Sequence, residues 1–383
     1  MQTILYVNPA GDVSGAENSL LTLIGALGDG YRPIMACPSP GRLSDRCREI
    51  GVPVFPIPFG APKRSTLYSM LVMRPLQTLR LIGHIERIVK EQKVDLIHAN
   101  SYLVGPASGI VARRFGIPVI WHIRDIRYGL KQKIVQHMAA RYADRILVVS
   151  GAVKDTLGKQ LDGRVHVVYN GVKPPEVTAE DRARIRKELG VGPDEFLVGN
   201  VGMLVPWKGQ DLFVRMAHRV LGEVPNAKFA IVGAVWPQSL GFDQRVRMLA
   251  EELGIQDKII FTGFRPDATS IIAGMDVYVH TALEPDPLPR SVLEAMAAGV
   301  PVVAPANGGI LEAIVNGESG FLYRTADVEE VTVKVANLLK SRDMACRIGA
   351  IGSKHAKDYF SVEGHIRAVQ NIYNSLLLED GIE

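Results

Sequence analysis

At 383 residues the chain is longer than one hydrophobic core usually serves, which predicts two domains of roughly 150 to 200 residues. With 47% hydrophobic and 22% charged residues, it has the composition of a folded globular protein. Three scattered cysteines disfavour a disulfide framework or a zinc site, and the lack of a signal-like segment or long apolar run predicts a cytoplasmic protein.

The net charge of +4 is unevenly distributed along the sequence. Residues 1–172 carry a net +10, and the remainder carries a net −6. A basic half favours an anionic partner, such as a phosphorylated substrate or an anionic membrane surface, and ordinary surface variation is the alternative. We expect no nucleic-acid partner, because interleaved aromatic residues and a reading motif are missing.

Short apolar runs alternate with amphipathic stretches, as expected for buried parallel strands joined by helices. The first predicted set is ILYV (4–7), PIMA (33–36), VDLIHA (94–99), PVIW (118–121) and RILVVS (145–150). After a polar, proline-containing segment, the pattern restarts with FLVGNV, KFAIVG, KIIFTG, DVYVH, PVVAP and GFLY. The sequence therefore predicts an α/β protein of two doubly wound domains, with a ligand cleft between them at the carboxyl ends of the strands. The predicted units are 1–172, 173–360 and a C-terminal helix in 361–383 that crosses back to the first domain.

Two loops at strand ends are candidate anion sites. After ILYV, Gly11 and Gly15 permit tight turns before a helix that should begin near Ala16, where free N–H groups and the helix dipole favour phosphate. After FLVGNV, Lys208 stands where the next helix should begin and can act as a point charge for phosphate. A simple βα turn and a solvated lysine are the structural alternatives. The absence of GxGxxG disfavours a nicotinamide or flavin enzyme.

The stretch EPDPLPRSVLEAMAAGVPVVAP (284–305) places acids and prolines directly ahead of a small-residue helix. Pro289 suits the first helical turn, because its fixed φ and missing N–H cost little there. Asp286 and Glu294 are then expected at the same cleft mouth, near N–H groups that point toward an anion. Carboxylates bind hydroxyls and helix N-termini bind phosphates, so the combination suits a nucleotide sugar.

These residues resemble the group 1 or family 4 glycosyltransferases, which are retaining enzymes of the GT-B fold. The resemblance covers nearly the whole chain and rests on SGAENSLLTL, ADRILVVSGAV, VPWKGQDLF, FTGFRPD and PDPLPRSVLEAMAAGVPVVAPANGGILEAIVNGESGFLY. It implies an acceptor-binding domain in 1–172 and a nucleotide-sugar-binding domain in 173–360, both Rossmann-like and facing across a deep cleft. The implied reaction moves a hexose from a UDP- or GDP-sugar to a glycan or polyprenyl-diphosphate-linked acceptor in surface polysaccharide synthesis, without a metal or other cofactor.

The resemblance also implies roles for individual residues. Glu294 should hold the ribose hydroxyls, Asp286 the donor sugar and Lys208 the diphosphate. In WHIRD, Arg124 stands at the usual histidine, and strand alternation puts His122 on the same face. We expect His122 at sugar hydroxyls and Arg124 at phosphate or acceptor charge, with a strand-packing histidine as the alternative. The implied catalytic set is Lys208, Asp286, His122 and Arg124. The implied donor-binding set is Gly15, Gly202, Lys208, Gly233, Gly263, Arg265, Asp286, Leu288, Arg290, Ser291, Val292 and Glu294, with Asn307, Gly308, Gly309 and Glu312 either near the donor or in a structural turn.

Three departures from the family pattern keep other functions open. Met203 replaces the usual arginine partner of Lys208, an aspartate replaces the first glutamate of the signature, and Pro289 replaces a glycine. We expect Arg265 or Arg290 to compensate for the missing charge. A non-catalytic nucleotide-sugar-binding scaffold is one alternative, and a nucleotide-sugar epimerase or hydrolase of the same fold is another. The apolar and basic segment 65–92 predicts peripheral contact with the inner membrane face, with a buried helix as the alternative.

Overall fold

The computed structural model describes residues 1–59, 74–236 and 239–379. They form two α/β units, each with one parallel sheet. The first unit contains Met1–Gly171 together with the C-terminal segment from Val362, and the second contains Val172–Ser361. The C-terminal helix therefore belongs to the unit formed by the start of the chain.

The first unit is a seven-stranded sheet in the order β3-β2-β1-β4-β5-β6-β7. Its strands are β1 Gln2–Val7, β2 Tyr31–Cys37, β3 Val54–Pro56, β4 Leu96–Ala99, β5 Val119–Ile123, β6 Arg145–Val148 and β7 Val165–Val167. Its helices are α1 Gly15–Gly25, α2 Arg42–Glu49, α3 Arg74–Gln92, α4 Gly105–Phe115, α5 Gly129–Tyr142, α6 Gly151–Lys154 and, at the end of the chain, α15 Val362–Glu379.

The central strands of this unit are buried on both faces, as their continuous apolar runs predict. One face packs against α1 and α15 in a cluster that includes Ile4, Leu96 and Val369. The five predicted strands are all present, but β3 and β7 were not predicted. Both have three residues and lie at the sheet edges, so neither produces an apolar run long enough to recognise.

The second unit is a six-stranded sheet in the order β10-β9-β8-β11-β12-β13, and all six strands were predicted. They are β8 Phe196–Val201, β9 Ala227–Val232, β10 Ile259–Gly263, β11 Val277–Val279, β12 Val302–Pro305 and β13 Phe321–Tyr323. The helices are α7 Ala179–Glu188, α8 Gln210–Leu221, α9 Phe242–Glu252, α10 Ala268–Ala273, α11 Arg290–Ala297, α12 Ile310–Ala313, α13 Val328–Lys340 and α14 Arg342–Tyr359. Strand order reverses direction between β8 and β11, which is where doubly wound sheets bind ligands.

The predicted membrane segment 65–92 is only partly described, because residues 60–73 lie outside the described ranges. Its remaining part forms α3. Within the described ranges, every helix is too short or too polar to span a bilayer.

Candidate active site

Three predicted donor-binding glycines meet at the carboxyl ends of adjacent strands β8, β9 and β10. The Gly202 N–H donates to the carbonyl of Val232 at 2.9 Å, and the Gly233 N–H donates to the carbonyl of Gly263 at 2.9 Å. Gly233 has φ +146°, and a Cβ there would collide with the Gly202 carbonyl. Glycine is therefore required for this close approach of backbones, which leaves main chain rather than side chains at the sheet edge.

Lys208 lies just before a helix rather than in its first turn. It ends a 3-10 turn, Pro206–Lys208, and α8 begins at Gln210. Between them Gly209 adopts a left-handed conformation, φ +66°, and a Cβ there would collide with the carbonyl of Thr281. The Thr281 hydroxyl donates to the Lys208 carbonyl at 2.9 Å. The loop after β11 thus holds the backbone of the lysine.

The side chain of Lys208 forms a buried ion pair with Asp286. Its Nζ lies 2.5 Å from Asp286 Oδ2, and the two side chains are only 13% and 8% exposed. Burial alone would raise the pKa of Asp286, but the Lys208 ammonium and His280 together outweigh this effect and hold that pKa well below its usual range. The solvated-lysine alternative is wrong, and the two residues predicted for the donor's diphosphate and sugar are brought together.

The Gly308–Gly309 turn contacts the backbone of Asp286. The Gly309 N–H donates to the Asp286 carbonyl at 2.9 Å. Gly308 has φ +55°, and a Cβ there would collide with the Asp286 backbone. His280, which sequence reasoning did not select, is buried with its Nε2 3.7 Å from Asp286 Oδ2. Burial lowers the pKa of His280, and the adjacent Asp286 carboxylate opposes this shift only in part.

Helix α11 carries the second acid of the signature. It begins at Arg290 with Pro289 as its N-cap, one position earlier than the predicted first turn. Glu294 accepts from Arg290, with Nε and Oε1 2.7 Å apart and side chains 14% and 17% exposed. Burial raises the pKa of Glu294, and the guanidinium offsets this only in part. Ser291 is held by the Tyr278 hydroxyl at 2.7 Å.

Other members of the predicted set have mainly structural contacts. Leu288 and Val292 are buried, so their contacts outside the core would be through the main chain. The Asn307 amide donates to the Thr325 hydroxyl at 2.9 Å. Glu312 belongs to the short helix α12 that follows the glycine pair.

Arg265 is paired with two carboxylates. Its Nε and Nη2 each lie 2.7 Å from an oxygen of Asp267, and its Nη1 lies 2.5 Å from Glu188. That Arg265 compensates for the charge missing at Met203 stays a prediction. Arg290 is likewise engaged, by Glu294.

In the first unit, polar residues collect where β1, β4, β5 and β7 end. The Arg124 guanidinium donates to Asn100 Oδ1 at 3.0 Å and to Asn170 Oδ1 at 2.8 Å, and Asn100 donates to Asn8 Oδ1 at 2.8 Å. All three asparagines are buried, whereas Arg124 is partly exposed. Sequence reasoning missed the asparagines, although each follows an apolar strand.

The opening loop holds a carboxylate where a phosphate was expected. Helix α1 begins at Gly15, and Glu17 accepts from the Ser14 N–H at 3.0 Å and the Ser14 hydroxyl at 2.5 Å. The Asn8 amide reaches the same carboxylate at 3.3 Å. This carboxylate already accepts from the Ser14 N–H at the helix terminus, and phosphate binding by this loop stays a prediction.

His122 lies behind Arg124 rather than at the surface. Its Nδ1 is 3.2 Å from Arg124 Nη2 and 3.1 Å from His98 Nε2, so the histidine and the arginine share one face, as strand alternation predicts. The side chain has no solvent exposure. It cannot touch sugar hydroxyls in this conformation, which corrects that expectation, yet its polar contacts also exclude simple apolar packing. Arg124 is the residue of the two that can meet a ligand.

Two family models together match most of the sequence. The model of the Glycosyl transferases group 1 matches residues 181–355, and that of Glycosyltransferase Family 4 matches residues 13–175. The matches divide between the two structural units described above.

Curated relatives and solved structures extend the comparison. A D-inositol 3-phosphate glycosyltransferase of Mycobacterium marinum is 26% identical over 69% of this chain and 59% of its own length. A GDP-mannose-dependent alpha-(1-6)-phosphatidylinositol monomannoside mannosyltransferase of Mycolicibacterium smegmatis is 32% identical over 46% and 47%. The chain thus spans about three fifths or less of these two relatives. The crystal structure of Anabaena Alr3699/HepE with UDP and glucose has a TM-score of 0.85, 22% identity, and coverage of 98% and 100%. This likeness confirms the predicted fold class.

Proposed function

This chain belongs to the group 1, family 4 glycosyltransferases, and we propose that it moves a hexose from a nucleotide sugar to a glycan or polyprenyl-diphosphate-linked acceptor with retention of configuration. The observation that carries the proposal is the buried Lys208–Asp286 pair beside the glycines that end β8 to β10. Relatives support the donor class, because one is named as GDP-mannose-dependent and a structural neighbour was crystallised with UDP-glucose.

The reaction breaks the bond between the anomeric carbon and the phosphate oxygen and forms one to the acceptor oxygen. The acceptor hydroxyl attacks the face that the nucleotide leaves, and its proton passes to the departing phosphate. Negative charge develops on that phosphate, where the Lys208 ammonium and the N-termini of α8 and α11 would stabilise it. Asp286 would accept a hydrogen bond from a sugar hydroxyl, and Glu294 would accept from the ribose. We propose that these groups supply the charge without a metal ion.

Transfer assays test the proposed reaction. We expect transfer from a UDP- or GDP-hexose to a polyprenyl-diphosphate glycan, with the product anomer, measured by NMR, matching that of the donor. The rate should be unchanged in EDTA, because protein groups supply the positive charge. An inverted product or loss of activity on chelation would contradict the mechanism. Free sugar released without acceptor would support the hydrolase alternative, and donor binding without any transfer would support the scaffold.

We further propose that the first unit docks on an anionic membrane surface from the cytoplasmic side. A cavity of about 620 Å³ at the amino ends of β5, β6 and β7 is lined by four arginines. These are Arg113, Arg141, Arg145 and Arg164. The only carboxylate among its lining residues is that of Asp144, which already accepts from the Val119 N–H at 2.8 Å. The cavity lies at the amino ends of the strands and Arg124 follows the carboxyl end of β5, so a lipid phosphate there would not compete with a ligand of Arg124.

A charge-matched pair of variants tests this docking. We expect the combined change of Arg113, Arg141 and Arg164 to Gln to weaken flotation with phosphatidylglycerol vesicles about 100-fold, since each basic residue contributes about 1 kcal/mol near such a surface. The control changes Arg46, Arg48 and Arg114 to Gln. It removes the same charge from arginines that are already paired with carboxylates outside the cavity. Equal losses of vesicle binding in both variants would show that only the net charge matters. Failure of the wild type to bind the vesicles would refute the proposed docking.

A further inference from the structure

A buried line of polar side chains leads from the C-terminal helix to Arg124. The Tyr373 hydroxyl in α15 lies 2.6 Å from His98 Nδ1 in β4 and 3.0 Å from the Tyr6 hydroxyl in β1. His98 Nε2 lies 3.1 Å from Nδ1 of His122, which lies 3.2 Å from Arg124 Nη2. Tyr6, His98, His122 and Tyr373 have no solvent exposure, and both tyrosines belong to the hydrophobic cluster of this unit.

The guanidinium determines the direction of the hydrogen bonds that link Arg124, His122, His98 and Tyr373. Arginine can only donate, so Nδ1 of His122 must accept and its proton must lie on Nε2. His98 then donates from Nε2 to His122 and accepts at Nδ1 from the Tyr373 hydroxyl. The Tyr373 and Tyr6 hydroxyls lie 3.0 Å apart. In this arrangement Arg124 and His98 share the single Nδ1 lone pair of His122 as a three-centre hydrogen bond.

Burial keeps both imidazoles neutral, which this arrangement requires. Loss of solvation, together with the charges of Arg124 and His365, lowers the pKa of His98 to about 3. Burial, together with Arg124, His98 and His365, also places the pKa of His122 well below its ordinary value. Both rings therefore stay in one charge state at neutral pH.

The arrangement leaves one polar group without compensation. His122 Nε2 is buried and has no hydrogen-bond partner among the described residues. A buried donor without an acceptor is unfavourable, and such groups usually indicate a role other than stability. Here the unpaired Nε2–H of His122 is the consequence of using Nδ1 of the same ring to accept from Arg124.

We propose that Tyr373, His98 and His122 are positioning residues that hold the Arg124 guanidinium in one orientation, from which it meets an anionic group of the substrate. The C-terminal helix thereby contributes to the reaction through its Tyr373 hydroxyl, although it is remote in sequence from β5. The part concerning turnover rests on the proposed function, whereas the proton order does not.

Nitrogen NMR of histidine-labelled protein tests the proton order without any substrate. We expect the His98 and His122 signals, assigned with single His→Gln variants, to show neutral rings protonated on Nε2 from about pH 5.5 to 8. Tyr373→Phe keeps the aromatic ring but removes the hydroxyl that donates to His98. The nitrogen signals of His98 should then move toward those of a mixture of tautomers. A proton on Nδ1 of His122, or titration of either ring near its ordinary pKa, would overturn the proposal.

Steady-state kinetics of glycosyl transfer provide a second test of the proposal. Tyr373→Phe should lower kcat about 10-fold with little change in KM, because misorientation of Arg124 affects the reacting geometry. The matched control is Tyr31→Phe, whose hydroxyl donates to Asn374 on the same helix but lies outside the line. It should leave kcat and both histidine signals unchanged. Equal losses in the two variants would reduce Tyr373 to a structural role. Absence of glycosyl transfer in the wild type would refute only the proposed function, and the NMR result would then decide the proton order.

Discussion

Replacing Lys208 by Met is expected to lower kcat/KM for the nucleotide sugar by about 10²- to 10³-fold, the usual loss when one group that stabilises developing charge is removed. The ammonium is the cation that the described residues place against Asp286, and the arginine that would assist it is Met203 here. Arg265 and Arg290 contact carboxylates other than Asp286, so we expect neither to replace the ammonium beside Asp286. Steady-state kinetics with the donor identified above measure the effect.

A double variant separates the catalytic role of Lys208 from its structural one. Lys208→Met alone leaves the Asp286 carboxylate buried without its counter-charge, which should lower the free energy of unfolding by about 3 to 5 kcal/mol. Adding Asp286→Asn should restore much of the stability but none of the activity. Lys228→Met, which removes a more exposed pair with Glu195, is the control. If activity followed stability through the series, the pair would be structural only.

Acidification should reveal the same pair. The pKa of Asp286 lies below its ordinary value in the folded protein, so its pairing stabilises the fold above the ordinary carboxyl range. That contribution is lost as pH falls toward the lowered pKa. In denaturant unfolding, the wild type should therefore lose more stability on acidification than the double variant does.

Glu294→Ala is expected to weaken binding of the cognate nucleoside diphosphate by about 10- to 150-fold, since hydrogen bonds to a charged group contribute about 1.5 to 3 kcal/mol. Calorimetric titration with UDP, GDP and ADP measures the loss and identifies the base. The side chain is largely buried and held by Arg290 at the start of α11, so its carboxylate is already oriented.

A second helix pair provides the control for Glu294. Glu330 and Lys334 in α13 have the same i, i+4 spacing, with Oε1 and Nζ 3.2 Å apart. Glu330→Ala should leave nucleotide binding intact. Binding retained by Glu294→Ala would remove this glutamate from the donor site, and no binding by the wild type would favour a site disabled by Met203 and Pro289.

The α/β fold class and the positions of the two acids Asp286 and Glu294 could be predicted from the sequence. Eleven strands were predicted because buried parallel strands are continuously apolar, and edge strands β3 and β7 were missed because three residues carry no such pattern. Likewise, the spacing of Asp286 and Glu294 could be recognised in the sequence, because Asp286 lies just before α11 and Glu294 lies within it. Local rules of periodicity and turn chemistry are sufficient for such features.

Which side chains meet depends on how the chain folds in three dimensions. Asp286 forms an ion pair with Lys208, which is far away in sequence, and Arg265 forms ion pairs with Glu188 and Asp267. The burial of His122 beneath Arg124 and its link to Tyr373 depend on a helix nearly 250 residues further along the chain. These contacts are long-range and depend on burial, which removes water as the competing partner and so makes each pairing strong and selective. No local pattern encodes them.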